Sequence, residues 1–444
     1  LRALECHHQG RLLDAKILCV DILVEQPAHA DALALLGVIG CQEQDFPRAA
    51  AFLAKAIQAN PKNAAFHLNY GTALQGLRQL DAAVRSFSRA IDLKPGVAEF
   101  HFNRGNALKQ LGRLHAAVAD YNESIALKPS LADARWSKAF VLLLAGDFEN
   151  GLPLYEWRPA RTGAPSQREY GKPVWTGREP LAGKTILLHA EQGLGDTIMF
   201  CRYASLVADM GARVLLEVQP ELVGLLQPFG AAAEVYATGM QLPAFDFHCA
   251  LPSLPLAFGT TVASIPAWPS YLKSADDKRQ AWAATLGEKT RPRIGVVWSS
   301  TSQFEEDILR SVTLSDFVRA LPESGLDIVC LQKELKPGDR AALAARPDIR
   351  FVGDAIADFT DTAALIDCVD LVVSTCTSVP HLAGAMGKPA WILQPFTPDW
   401  RWLRGRDDSP WYPSVTLYRQ PQVDDWQSVF DRVRTDLEAL AAGR

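Results

Sequence analysis

Through residues 1–158, apolar positions recur at helical spacing, and polar turns such as LRQLD and LGRLH split the pattern into short helices. Pro27, Pro61, Pro95 and Pro129 stand 34 residues apart. Other columns keep the same step: Gly37, Gly71 and Gly105; Ala15, Ala49, Ala83 and Ala117; Leu53, Phe87, Tyr121 and Tyr155; Ile57, Ile91 and Ile125. Columns in phase over one period predict stacked helix pairs. Gly71 and Ala83 are expected where two helices approach closely. Each proline is expected in the first turn of the next helix, where its missing N–H is not needed. The first unit is truncated, and the last, GDFENGLPLYEWR, is degenerate.

The pattern then changes. Residues 159–182, rich in Gly, Pro and charge, read as a linker. Beyond it, short β-rich runs (TILLH, RVLLEV, RIGVVW, DIVCLQ, IRFV, DLVVS, AWILQP) alternate with helical stretches, including one from Asp196 to Met210 and one over PELVGLLQPF. Alternating β and α predicts parallel sheets with right-handed crossovers. The strands fall into two groups, giving domains at 183–290 and 291–444, separated by the charged helical stretch SADDKRQAWAATLGEKTR. A terminal helix carries Val423, Trp426, Phe430, Val433, Leu437 and Leu440 on one face. The fold class expected is an α superhelix followed by α/β, with a cleft facing the carboxyl ends of both sheets.

Bulk properties narrow the function. At 444 residues the chain exceeds one core. A net charge of −5 gives no reason to expect nucleic-acid binding. No apolar run approaches the ~18–20 residues that span a bilayer, and Leu1 opens in mid-helix pattern with no signal-peptide features. Leu1 is not methionine, which leaves an upstream segment open. The eight cysteines are scattered without a C-x-x-C pair, as expected of reduced thiols in a cytoplasmic protein and not of a zinc site.

Three constellations carry candidate chemistry. In EQGLGDTIMF, Gly193 and Gly195 follow a strand and Asp196 starts a helix. Two readings are open: a helix cap that suits the dipole, or a carboxylate presented to the cleft. The spacing is not a dinucleotide fingerprint, because Ile198 occupies the position of its third glycine. In STCTSVPHLAGAMGKPAWIL, Thr377 and Ser378 open a helix that carries His381. Free N–H groups and hydroxyls at that start suit a diphosphate, and His381 reads either as a further donor or charge or as an ordinary core histidine. At strand ends, Trp298, Ser299, Ser300, Gln332 and Lys333 are expected to face the cleft, with Arg310 in the loop ILRSVTL. Lys333 and Arg310 are the cations available to a diphosphate, against a plain reading as solvated surface. No D-x-D occurs, and Asp407–Asp408 reads as a charged loop pair, so no metal is expected. Neither a G-x-S-x-G elbow nor a Walker A pattern is present.

The 34-residue period resembles the tetratricopeptide repeat, whose arrays usually bind protein or peptide. Residues 183–415, through HAEQGLGDTIMFCRYASLV, RIGVVWSS, DTAALIDCVDLVVS, TSVPHLAGAMGKPAWIL and PDWRWLRGRDDSPWYP, resemble glycosyltransferase family 9, the heptosyltransferase-like enzymes with two Rossmann-like domains of GT-B type. The resemblance implies inverting transfer of a sugar from a nucleotide diphosphate to a glycan or protein acceptor. It places the general base at Asp196, with Gly193 and Gly195 in the acceptor-side loop, and the donor site at Thr377, Ser378 and His381; the strand-end reading adds Lys333, Arg310 and Ser299 to that donor site. The chain departs from the family twice. Cys376 stands where an aspartate is usual, and the loop SSTSQFEEDILRS keeps only Asp307, Arg310 and Ser311 in recognisable positions. These departures support the rival expectation, a weakened or inactive scaffold whose repeats act as an interaction module.

Overall fold

The computed structural model describes the chain except residues 165–167, 301–309 and 444 and the side chain of Ala231. It divides into two compact units, Leu1–Leu142 with Trp157–Ala164, and Leu143–Glu156 with Pro165–Arg444.

The first unit is a run of antiparallel helix pairs. Arg2–His8 and Leu12–Glu25 are followed by Ala30–Gln42 and Phe46–Ala59, Ala64–Gly76 and Leu80–Leu93, and Ala98–Gln110 and Leu114–Leu127. Two of the sequence columns explain each other. A Cβ on Gly71 would lie 2.5 Å from the Phe87 ring, and one on Gly105 would lie 2.7 Å from Tyr121. The glycine of one helix is therefore the socket for the large residue of its mate. The prolines correct the expectation. Pro61 and Pro95 lie two residues before the N-caps Asn63 and Val97, directly after the C-caps Asn60 and Lys94. Each therefore stops the preceding helix, which it cannot continue, and does not start the next. The freed proline carbonyls accept from the side chain six residues on: His67 at 2.9 Å, His101 at 3.3 Å and Arg135 at 2.7 Å.

The second unit holds two all-parallel sheets. Strands β1 (Thr185–His189), β2 (Arg213–Val218), β3 (Glu234–Ala237) and β4 (Phe247–Ala250) lie in the order β3-β2-β1-β4. Strands β5 (Arg293–Val297), β6 (Asp327–Cys330), β7 (Ile349–Phe351), β8 (Leu371–Thr375), β9 (Ala390–Gln394) and β10 (Val415–Arg419) lie in the order β10-β9-β8-β5-β6-β7. Strand order reverses at β1/β4 and at β5/β8, the positions where parallel sheets leave a crevice at their carboxyl ends. Strands β3, β4 and β10 were not read from the sequence; β3 and β4 have four residues each, and β10, VTLYR, mixes apolar and polar positions.

The helix expected over 196–210 is two helices, Leu194–Phe200 and Tyr203–Asp209, broken at Cys201–Arg202. There the buried Arg202 donates to the Met199 and Trp411 carbonyls at 2.8 Å. The terminal helix, Trp426–Ala441, buries Val429, Phe430, Val433 and Leu437 against the larger sheet. Part of the stretch read as a linker belongs to the smaller sheet's edge. Val174 bridges to His248 in parallel, and Trp175 is buried. Helix Phe148–Tyr155, from the degenerate last repeat, lies in the second unit and packs Phe148 and Tyr155 on Trp400.

Candidate functional site at the two carboxyl edges

The glycine turn leaves β1 and enters helix Leu194–Phe200, whose N-cap is Gly193. Asp196 is thus the third helical residue and not the cap. Its Oδ2 accepts the Gly193 N–H at 3.1 Å, the backward half of a capping box. Its Oδ1 is ion-paired with Arg401. Gly195 has a different task from Gly193. A Cβ there would meet His381 Cδ2 at 3.0 Å and Ser378 Cα at 3.4 Å. The glycine lets helix Leu194–Phe200 close onto helix Ser378–Ala385, which joins the edges of the two sheets.

Arg401 is the hub of this junction. One terminal nitrogen binds both oxygens of Asp399 at 3.0 and 3.1 Å. The other reaches Asp196, Gln192 Oε1 at 3.3 Å and Tyr155 Oη at 3.2 Å, while the Tyr155 hydroxyl donates to Gln192 at 2.8 Å. The guanidinium also lies over Trp400, 4.6 Å from the ring centre. Burial raises the Asp399 carboxyl, but the Arg401 charge and backbone N–H outweigh it and hold it below the usual carboxylate range. Arg401 also ends above its ordinary value, because the charges of Asp196 and Asp399 outweigh its burial.

On the other edge, Thr377 caps helix Ser378–Ala385, its hydroxyl accepting the Val379 N–H at 3.4 Å, and Ser378 is half-buried beside it. His381 is buried, stacks on Trp402 at 4.8 Å and bonds Tyr412 through Nδ1 at 3.0 Å. Burial and then the Arg401 charge push its imidazole down to about 3. It is therefore a neutral hydrogen-bonding ring at physiological pH and brings no charge. Cys376 accepts the Trp402 indole N–H at 3.0 Å, and burial raises its thiol, so it too is neutral.

The strand-end residues separate. Ser299 is buried, and Gln332 Oε1 accepts the N–H groups of Trp298 and Ser299 at 2.9 and 3.0 Å. The Ser300 N–H donates to Ser311 at 3.3 Å. Arg310 is near enough for its charge to act on Asp399, Cys376 and His381. Lys333 is exposed and donates to the Ala357 carbonyl at 2.7 Å, which gives it no place in the cluster. Asp307 lies outside the described residues. Asp408 forms a bidentate pair with Arg406, as expected of a charged loop pair.

Among the described residues, four buried polar atoms at the carboxyl ends of adjacent strands have no hydrogen-bond partner: Ser299 Oγ after β5, Thr375 Oγ1 on β8, and both amide atoms of Gln394 on β9. Unsatisfied buried groups are rare and call for a ligand or water. Arg401, Asp399, Gln394 and Tyr155 were not singled out by sequence reasoning. The available signal was the Asp-x-Arg step in PDWRW, a charge pair set among tryptophans in the loop after β9.

The molecule thus combines a tetratricopeptide repeat array with an α/β unit of two parallel sheets. The tetratricopeptide repeat family profile matches residues 9–64 and 68–132. Protein FlbA of Caulobacter vibrioides is 28% identical over 344 residues, 69% of this chain and 55% of that protein, so the chain spans about half the length of this relative. Among solved structures, MamA aligns at 19% identity and TM-score 0.33 over 35% of this chain and 91% of its own. YrrB, described as a TPR protein with an unusual peptide-binding site, aligns at 22% identity and TM-score 0.32 over 36% and 81%.

Proposed function

We propose that the α/β unit is a GT-B-type, metal-independent inverting glycosyltransferase of the family 9 kind, and that the repeat array binds the acceptor or a protein partner. The nucleotide-diphosphate sugar sits at the carboxyl edge of the larger sheet, with its diphosphate at the Thr377–Ser378 helix start and Arg310. The acceptor hydroxyl approaches from the glycine turn. Its oxygen bonds to the anomeric carbon as the bond to the diphosphate breaks, its proton passes to Asp196, and the departing charge is met by helix N–H groups and guanidinium.

One observation carries this reading. The carboxylate after β1 and the helix start after β8, 181 positions apart in sequence (377 − 196), lie on two helices that Gly195 holds in contact, and Ser299, Thr375 and Gln394 at the carboxyl ends of β5, β8 and β9 carry buried polar atoms without a partner among the described residues. A thermal-shift screen against UDP-, GDP- and ADP-sugars tests it. A stabilising shift with one of them supports the reading, and none at millimolar ligand removes it.

A second reading, a transferase fold kept as scaffold for the repeats, is favoured by the Trp402–Cys376 bond. A neutral thiol stands where the family carries an acceptor-rich carboxylate, and it cannot take hydroxyl hydrogen bonds as a carboxylate does. The same screen separates the two readings.

A further inference from the structure

Helix Leu12–Glu25 carries a stripe that its sister helices lack. Leu13, Ile17, Val20 and Val24 are 68%, 51%, 49% and 77% exposed, unusual values for large apolar side chains in a row. In the third repeat the same columns, two periods on, are Asp81, Arg85, Ser88 and Asp92. No large aliphatic or aromatic residue occupies these columns in the three later helices, where they are exposed or half-exposed. Each of those repeats has a repeat stacked before it, so a neighbouring repeat does not cover this face. The stripe is therefore not a face that a further stacked repeat would bury.

The spacing of the stripe, four, three and four residues, is that of a heptad seam. It puts β-branched Ile17 and Val24 at the a positions and Leu13 at one d position, choices that suit two parallel strands, with Val20 at the other d. Flanking charges choose the orientation. In parallel pairing, Lys16 at g of one copy faces Asp21 at e of the other. In antiparallel pairing, Asp14 would face Asp21, like against like. Lys16 is 29% exposed and pairs with Glu43 at 2.6 Å, so docking would share its ammonium between Glu43 and Asp21 of the other copy.

We propose that this face is a self-association surface on which a second copy of the chain docks with the two Leu12–Glu25 helices parallel. The inference is independent of the transferase reading. Two heptads bury less than the roughly 1,200 Å² of a permanent interface, so the dimer is concentration-dependent. The helices are already folded within the repeats, so pairing does not meet the nucleation cost that defeats short isolated coiled coils.

Sedimentation velocity on the full chain across the micromolar range tests this. The expected result is a mass that climbs from one chain toward two. The variant Ile17→Asp/Val24→Asp should raise the dissociation constant at least tenfold, with unchanged circular dichroism and melting. Asp21→Lys should weaken association, and Lys16→Asp/Asp21→Lys should recover it. A wild-type chain that stays monomeric overturns the proposal, as does a dimer that survives the stripe variant. Failure of the charge swap to recover association overturns the parallel arrangement.

Discussion

Arg401 and Asp196, 205 positions apart in sequence, meet as an ion pair at the junction between the two sheets of the α/β unit. The same guanidinium holds Asp399, so one buried cation serves two carboxylates. Arg401→Met should leave the half-buried Asp399 with only the Arg310 charge near it, and denaturant unfolding should show a loss of about 3 kcal/mol, the low end for a broken buried pair. Adding Asp399→Asn should cost less than the sum of the single changes, because the stranded charge is then gone.

Gly193 and Gly195 should respond differently to alanine. Gly195→Ala improves helix propensity by about 1 kcal/mol, yet its methyl meets His381 at 3.0 Å. Overpacking of about 1–3 kcal/mol should win, so the melting temperature falls. Gly193 has φ −70° and its nearest neighbour is Asp196 Oδ2 at 3.5 Å, so Gly193→Ala should be close to neutral in the same scan.

Acid should weaken the fold in two windows. The folded His381 titrates near 3 and the unfolded one near 6.5. Between these values the unfolded chain binds the extra proton, so stability falls with pH by up to about 1.4 kcal/mol per unit. Asp399 is depressed, so its contribution is present above about 3.9 and disappears as pH drops through the folded value. Denaturant midpoints from pH 7 to 4 should flatten in His381→Gln. An imidazole NMR signal of His381 that titrates near 6.5 in the folded chain would falsify this account.

Thiol labelling should separate the cysteines. Cys201 and Cys330 are pushed up to about 12 by burial, and Cys376 is raised and engaged by Trp402. These three should resist alkylation until unfolding, while half-buried Cys41 and Cys368 react sooner. Early modification of Cys376, read by mass spectrometry, would mean that the Trp402 contact opens in solution.

The repeat was legible because one period imposes several columns at once, and β1, β2 and β5 to β9 because buried parallel strands are near-continuous apolar runs. The prolines show the limit of that reading. Their column was plain, but whether they end one helix or begin the next depends on caps set by the whole turn. At the site, Asp196, Thr377, Ser378 and His381 could be read from sequence because they follow strand ends, and they lie on the two helices that meet at Gly195. Arg401 was not, because nothing local in PDWRW indicates a partner two hundred residues earlier. Lys333 shows the converse: a basic residue just beyond a strand end, as expected of a ligand contact, whose ammonium instead satisfies a nearby carbonyl.

The most direct test of the transferase account compares Asp196→Asn with wild type, by calorimetry against the nucleotide sugar selected in the screen and by turnover with its acceptor. The account predicts donor affinity within about threefold of wild type, which is under 1 kcal/mol, and turnover lost. Donor affinity that collapses with the substitution, or turnover that survives it, would contradict a base at Asp196.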